Sequence, residues 1–406
     1  MQNQSTLIWN PFQQGYRENP HQQLRLLREQ HPVHKGVNGR WMILQYRDVK
    51  LLLTDPVFKT VNFSCELAAK SKFLPTAGNF DQIAAIAAKW FLFFDPPQHT
   101  EIRSWVAKIW NSIPLQDAIK TITEEGLERL AAAKECDILR DFAVFVPTRV
   151  VCKILGLAVE DAAQFKTWSY HFNSLFEPFA TLYDLAHYNQ SAQEFYEYMN
   201  QVLAGKRQQP DEAFISKLLI VNETFEKPLH DSELISLIAF MFFAGIETSV
   251  NLFGQSVLHL IRNPEQARML RENDALIPGA VEELLRFVSP TQYTTRIAAA
   301  NTEIGGQLIK AGEFLMGATV AANRDPEVFA HPDELDFTRK TNPHLSFGFG
   351  THYCLGARVA REEISVSLPA LLRRFPHLTL HPAKSYEWDK IILNRGLRSL
   401  PVVLHP

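Results

Sequence analysis

Residues 344–363 read HLSFGFGTHYCLGARVAREE, and the rest of the chain is best understood outward from them. Gly348, Gly350 and Gly356 surround a single cysteine, Cys354, while His344 and His352 lead into it and a helix-forming run follows. Glycine relieves the steric limit on backbone dihedrals and lets the main chain approach a flat object closely, so a glycine-rich loop entering a helix reads as a ligand-cradling turn. The spacing is neither that of a P-loop nor that of a dinucleotide fingerprint, and no Lys-Ser/Thr pair follows to meet a nucleotide. What the loop offers instead is one thiol at a helix start, where the dipole and the free amides favour a thiolate. Read from the residues alone, Cys354 is either such a ligand or a structural cysteine in a glycine-rich turn.

The composition limits the classes of partner. Hydrophobic residues make up 46% of the 406 and charged residues 21%, with 28 phenylalanines, so the chain can bury a large core. A net charge of −3 suggests neither nucleic acid nor an anionic membrane. The start, MQNQSTLIWNPFQQGY, has no basic and apolar leader pattern, so a cytoplasmic protein without a membrane anchor is expected. Four cysteines, Cys65, Cys136, Cys152 and Cys354, form no CxxC pair, which argues against a zinc site and a disulfide framework.

Several elements can be placed by pattern. Asn19-Pro20 opens a helix to about Glu29, and Asn38-Gly39 between VHKG and WMILQ is a hairpin signal. Residues 47–54 read as a short helix. From Phe58 to Phe94 periodicity fades and rings gather (Phe63, Phe73, Phe80, Trp90, Phe91, Phe93, Phe94), which reads as a wall of an apolar pocket or as plain core. The prolines after Asp95 start a helix carrying His99 and Arg103 on one face. Residues 115–134 and 140–156 are helical, and 160–205 is helical and aromatic, with a break expected at Pro178 beside Phe179. Strands are expected at 302–310, 313–318 and within 386–405.

The longest helical run is 231–262, about 48 Å at 1.5 Å per residue. Its apolar middle is interrupted by Ala244-Gly245-Ile246-Glu247-Thr248-Ser249. A helix-interior glycine costs about 1 kcal/mol relative to alanine, and a buried carboxylate costs more unless paired. The interruption is either a functional groove or a hydroxyl-induced kink with a satisfied glutamate.

The order Phe347-Gly348-x-Gly350-x-His352-x-Cys354-x-Gly356 resembles the haem-binding loop of the cytochrome P450 family. The resemblance extends along the chain to Ala244–Ser249, to Glu283-x-x-Arg286 and to Arg339. It implies a mainly α fold, one P450 domain over 1–406, with small β-sheets near the N- and C-termini and haem b (iron protoporphyrin IX) between the long helix and the Cys354 loop. Cys354 would be the axial thiolate of the iron, a ligand that favours O–O cleavage. By family position, His99, Arg103, Arg296, His344 and His352 would meet the haem propionates, and Ala244, Gly245, Phe347, Gly348 and Gly356 would line the cofactor. Glu247 would relay protons and Thr248 would hydrogen-bond the iron-bound peroxo group. Glu283, Arg286 and Arg339 would form a structural trio. The activity implied is monooxygenation of an apolar substrate by O₂. Electrons would come from a separate ferredoxin or flavodoxin, with Lys108, Arg358 and Arg361 as candidate docking cations. Peroxide-driven, coupling or rearrangement chemistry, or a non-catalytic haem protein, are the alternatives.

Overall fold

Asp231 to Arg262 form one continuous helix, with the bounds that the sequence pattern indicates. By length and hydropathy this helix is long enough to cross a membrane, yet 67% of its most apolar window is buried inside the protein, as in a core helix. The computed structural model describes residues 7–405 apart from 14, 38, 65, 66, 68–79, 178 and 179. Asn38, Cys65, Phe73, Pro178 and Phe179 therefore lie outside the described residues.

The chain divides into two compact units. The first comprises residues 1–61, 251–357 and 379–400. It holds a five-stranded sheet ordered Val33–Lys35, Trp41–Ile43, Phe314–Ala318, Tyr293–Ala298, Phe58–Lys59. Val33–Lys35 and Trp41–Ile43 pair antiparallel, as the hairpin signal requires. Trp41–Ile43 then runs parallel to Phe314–Ala318, which only a long connection permits. Helix Tyr46–Thr54 turns Val49, Leu52 and Leu53 into the core beneath the sheet. A Cβ at Gly317 would come within 2.9 Å of Leu52, so the glycine in this strand lets the helix lie close to the sheet.

In the same unit, helix Ile277–Val288 buries Glu283 and Arg286 completely. Arg286 donates two bonds to the Glu283 carboxylate, at 2.7 and 2.8 Å. Arg339 adds a third at 3.0 Å, Asn342 a fourth at 3.1 Å and the Asp336 amide a fifth at 3.0 Å. Arg286 also donates to the carbonyls of Asn323, Pro332 and Glu334. The trio expected from the sequence is thus assembled, and it holds three loop carbonyls as well as its own charges.

The second unit comprises residues 62–250, 358–378 and 401–406. It is helical: Gln98–Asn111, Gln116–Ala131, Phe145–Leu155, Ala162–Ser174 and Leu182–Gln208, with the first part of the long helix. Thr181 and Asp184 form a capping box at the start of Leu182–Gln208, so the helical region breaks between 174 and 182. Gly156, with φ of +81°, ends helix Phe145–Leu155 in a left-handed cap. That helix starts later than its pattern suggests because a π-helical turn occupies Leu139–Ala143. The segment read as irregular contains a helix, Asp81–Ala88, whose Ile83, Ala84, Ile86 and Ala87 are buried. Eight residues give too few turns for a clear period, and the surrounding rings mask it.

Replacing Glu283 by alanine removes the carboxylate that pairs with buried Arg286 and half-buried Arg339, and the expected loss is about 3–5 kcal/mol of unfolding free energy. Urea denaturation measures it; an unchanged midpoint would show that the network carries no such weight.

Candidate functional site

The Cys354 loop is built by short-range hydrogen bonds. The Cys354 amide donates to the Phe347 carbonyl at 2.8 Å, Gly348 N–H to Leu345 O at 2.9 Å and Tyr353 N–H to Gly350 O at 3.1 Å. Gly348 and Gly350 have φ of +69° and +72°, which side-chain-bearing residues rarely adopt. The loop delivers Cys354 three residues before helix Ala357–Arg374, where the first N–H groups of the helix lack intrahelical acceptors. The thiol is exposed. The other two described cysteines differ: burial pushes the thiols of Cys136 and Cys152 up to about 12. Among the described cysteines Cys354 is the exposed one, at the start of a helix.

Asn323, fully buried, anchors the loop's approach. Its side chain accepts from the Leu345 amide at 2.7 Å and donates to the hydroxyls of Ser289 and Ser346, at 2.7 and 2.8 Å. Ser346 in turn donates to Leu285 O, one residue before Arg286. The sequence gives no sign of this role, because a lone buried asparagine leaves no periodic signal. His344 lies 3.1 Å from Glu282 and accepts from the Ser346 amide at 3.2 Å, so both ring nitrogens are engaged and a propionate would have to compete for them. Arg296 is buried in strand Tyr293–Ala298 and donates to Thr295 O at 2.8 Å. His352 sits half-buried in the loop itself.

In the helical unit, the stretch 240–250 of the long helix is buried except on one face. Phe240, Ala244 and Thr248 are half-buried at i, i+4 and i+8, with Gly245 and Glu247 beside them. This stripe opens one side of a core helix. Thr248 donates to the Ala244 carbonyl at 2.9 Å, the back-bond that loosens a helix locally. A Cβ at Gly245 would come within 2.9 Å of Val151, so the glycine also allows a close helix crossing. Ser249 faces inward and donates to Glu363 at 2.6 Å. Glu363 is buried, and burial pushes its carboxyl up to about 8. Ser249 belongs to the interruption read from sequence, but its partner Glu363 is not singled out there, since a Glu-Glu pair on a helix normally reads as solvated surface. His99 is buried on helix Gln98–Asn111, and burial followed by the Arg103 charge lowers it to about 4. Arg358, a candidate docking cation, is occupied by Glu362 at 3.0 Å and Ile113 O at 3.2 Å.

These donors fit haem. Among the described residues no group of three or more His, Cys, Asp and Glu could cage a metal. Cys354 would supply one soft ligand to a haem iron, with the macrocycle supplying the remaining coordination. Burial, and after it the Arg103 charge, holds His99 down, and a carboxylate beside the two would oppose the second of these.

A family model described as Cytochrome P450 matches residues 127–400. The chain is 34% identical over 386 residues to Cytochrome P450 CYP107DY1 of Priestia megaterium, covering 91% of this chain and 90% of that one. Among solved structures, P450BioI in complex with hexadec-9Z-enoic acid ligated acyl carrier protein shares 32% identity and a TM-score of 0.86, over 96% of this chain and 100% of the other. CYP109E1 from Bacillus megaterium in complex with testosterone shares 27% identity and a TM-score of 0.84, over 96% and 99%.

The Glu363 pKa has a consequence for stability. A folded-state value of about 8 against an ordinary 4.5 means that the native protein binds this proton more tightly than the unfolded chain. Its contribution is therefore fully present below pH 4.5 and is lost as pH rises towards about 8. Glu363→Gln should remove that loss, so the variant gains on the parent as pH rises through this window in thermal melts. Parallel pH curves for the two proteins would contradict it.

Proposed function

The chain belongs to the cytochrome P450 family, and from that premise we propose that Cys354 is the thiolate ligand of haem b in a monooxygenase acting on an apolar small molecule. The family carries haem iron and the oxidoreductase class; the residue roles are the proposal. The observation that supports it most is the exposed thiol of Cys354, presented by a positive-φ glycine loop at a helix N-terminus. When bound, haem activates O₂, placing one oxygen atom in the substrate and reducing the other to water. The chain's contribution is to hold, orient and protonate.

The helix N-terminus and the loop amides stabilise negative charge on Cys354 Sγ, which sets its donor strength. His99, Arg103, Arg296 and His352, with His344 in competition with Glu282, are proposed to neutralise the propionates; Ala244, Gly245, Phe347, Gly348 and Gly356 offer small or flat surface to the ring. Glu247 and Thr248 lie on the open stripe of the long helix. Glu247 is proposed to pass protons from solvent, and the Thr248 hydroxyl to hand them on after leaving its bond to Ala244 O. The Ser249–Glu363 pair stands directly behind this stripe as a buried, proton-holding support. Electrons are proposed to come from a separate ferredoxin or flavodoxin. A fatty acyl chain and a steroid, the ligands of two similar structures, are both within the proposed range of apolar substrates.

Carbon monoxide added to the reduced holoprotein should give the red-shifted band of thiolate-ligated haem, and Cys354→Ala should abolish it. A band that persists in the variant removes Cys354 as the ligand. Thr248→Ala should divert reducing equivalents to hydrogen peroxide by roughly tenfold or more, within the range of a lost proton-transfer group. Unchanged coupling of NAD(P)H oxidation to product would count against the proton role.

A further inference from the structure

The ring-rich segments of the helical unit converge on one cluster, and its rings fall into two layers. Phe63, Phe93, Phe176 and Phe240 are each half-buried. Behind them Trp90 and Phe243 are buried, at 0% and 3% exposure. Trp90 stacks on Phe176, with centroids 5.9 Å apart and 23° between planes, and lies 4.8 Å from Phe243. Phe63 meets Phe93 and Phe176 edge-on, at 6.1 and 6.5 Å. The front layer thus offers both ring faces and ring edges. It is continuous with the open stripe of the long helix, because Phe240 belongs to both.

The cluster contains one polar atom that the protein leaves unsatisfied. Trp90 Nε1–H is buried and has no acceptor among the described residues. A buried donor without a partner costs about 1–3 kcal/mol, and such a cost is removed when a ligand supplies the acceptor. Phe93, Phe172, Phe176, Phe240 and Phe243 pack around the Trp90 ring, and of these Phe93, Phe176 and Phe240 are half-buried and keep an exposed side.

Resting on the monooxygenase reading above, we propose that this cluster selects a flat, fused-ring substrate carrying one oxygen acceptor, which intercalates against Phe93 and Phe176 and receives the Trp90 N–H. Flat rings gain edge-to-face and offset stacking with the front layer, beyond the area they bury. A flexible alkyl chain buries similar area but loses rotamer freedom and satisfies no donor. Trp90 is a specificity-determining residue here, set apart from the proton-handling residues of the long helix.

The holoprotein is titrated with three probes: fluorenone, its parent hydrocarbon fluorene, and hexadec-9-enoic acid. Binding is read by the haem spin-state spectrum and by quenching of tryptophan fluorescence, compared between wild type and Trp90→Phe. Fluorenone should bind more tightly than either rival, and Trp90→Phe should shrink its advantage over fluorene by roughly tenfold, the upper range of one neutral hydrogen bond. Comparing the two ratios cancels the difference in hydrophobicity between the probes. Phe176→Leu should weaken both fused-ring probes and leave the fatty acid unchanged. The proposal is overturned if the fatty acid binds as tightly as fluorenone, or if the fluorenone-to-fluorene ratio is the same in Trp90→Phe. The wild-type comparison alone decides the first point should a variant not fold. A normal carbon monoxide band alongside either failure leaves the monooxygenase reading intact, whereas loss of that band in wild type strikes the reading itself.

Discussion

A carboxylate with no access to water, Glu283, is the constraint around which the cysteine-bearing unit is organised. It accepts five hydrogen bonds, from Arg286, Arg339, Asn342 and the Asp336 amide. Such a charge is tolerated only when every donor is in place, so the segments that supply them are fixed together. Those segments lead straight into the glycine-rich loop. Asn323 and Ser346 continue the polar chain to the loop's first residues. The position of Cys354 is thereby set by buried electrostatics several residues away, which suits the ligand role proposed for it.

The helical unit solves a different problem, keeping one face of a buried helix open. Helix residues on the remaining faces are packed by aromatic and aliphatic side chains, and a local back-bond from Thr248 loosens the ladder where the stripe lies. Buried polar groups are costly unless paired, so the arrangement of those near the stripe carries information. Ser249 holds Glu363, whose burial keeps a proton on it at neutral pH. Trp90 keeps a donor with no protein acceptor among the described residues. The first is a buried pair in which one Glu363 oxygen accepts from Ser249, and the second is a vacancy in hydrogen bonding that a ligand can fill.

Sequence and structure agree most closely where local rules are strong. Asp231–Arg262 is long, periodic and bounded by Asp231 and Asn263-Pro264, so its limits could be read directly. The Asn38-Gly39 signal placed the hairpin strands, and Gly156 ended its helix in the left-handed cap that glycine permits. Agreement fails where elements are short or where rings crowd them. Helix Asp81–Ala88 was hidden inside an aromatic stretch, and Phe214–Asn222 and Pro264–Glu272 were passed over.

The glycine and cysteine spacing and the interruption at Gly245–Ser249 were determined by the sequence itself, because each violates a local preference and so stands out from a background of ordinary helix. Glu283-x-x-Arg286, by contrast, is a pair any helix surface offers and was legible only through the family resemblance. Tertiary structure alone decided which partners those residues meet. Asn323 bridging to Ser346, Ser249 meeting Glu363 across 114 positions of chain, and Phe63 packing on Phe176 all depend on long-range packing. The same holds for burial: a glutamate is a surface charge or a proton-holding acid according to what covers it, and nothing in its immediate neighbours records the difference.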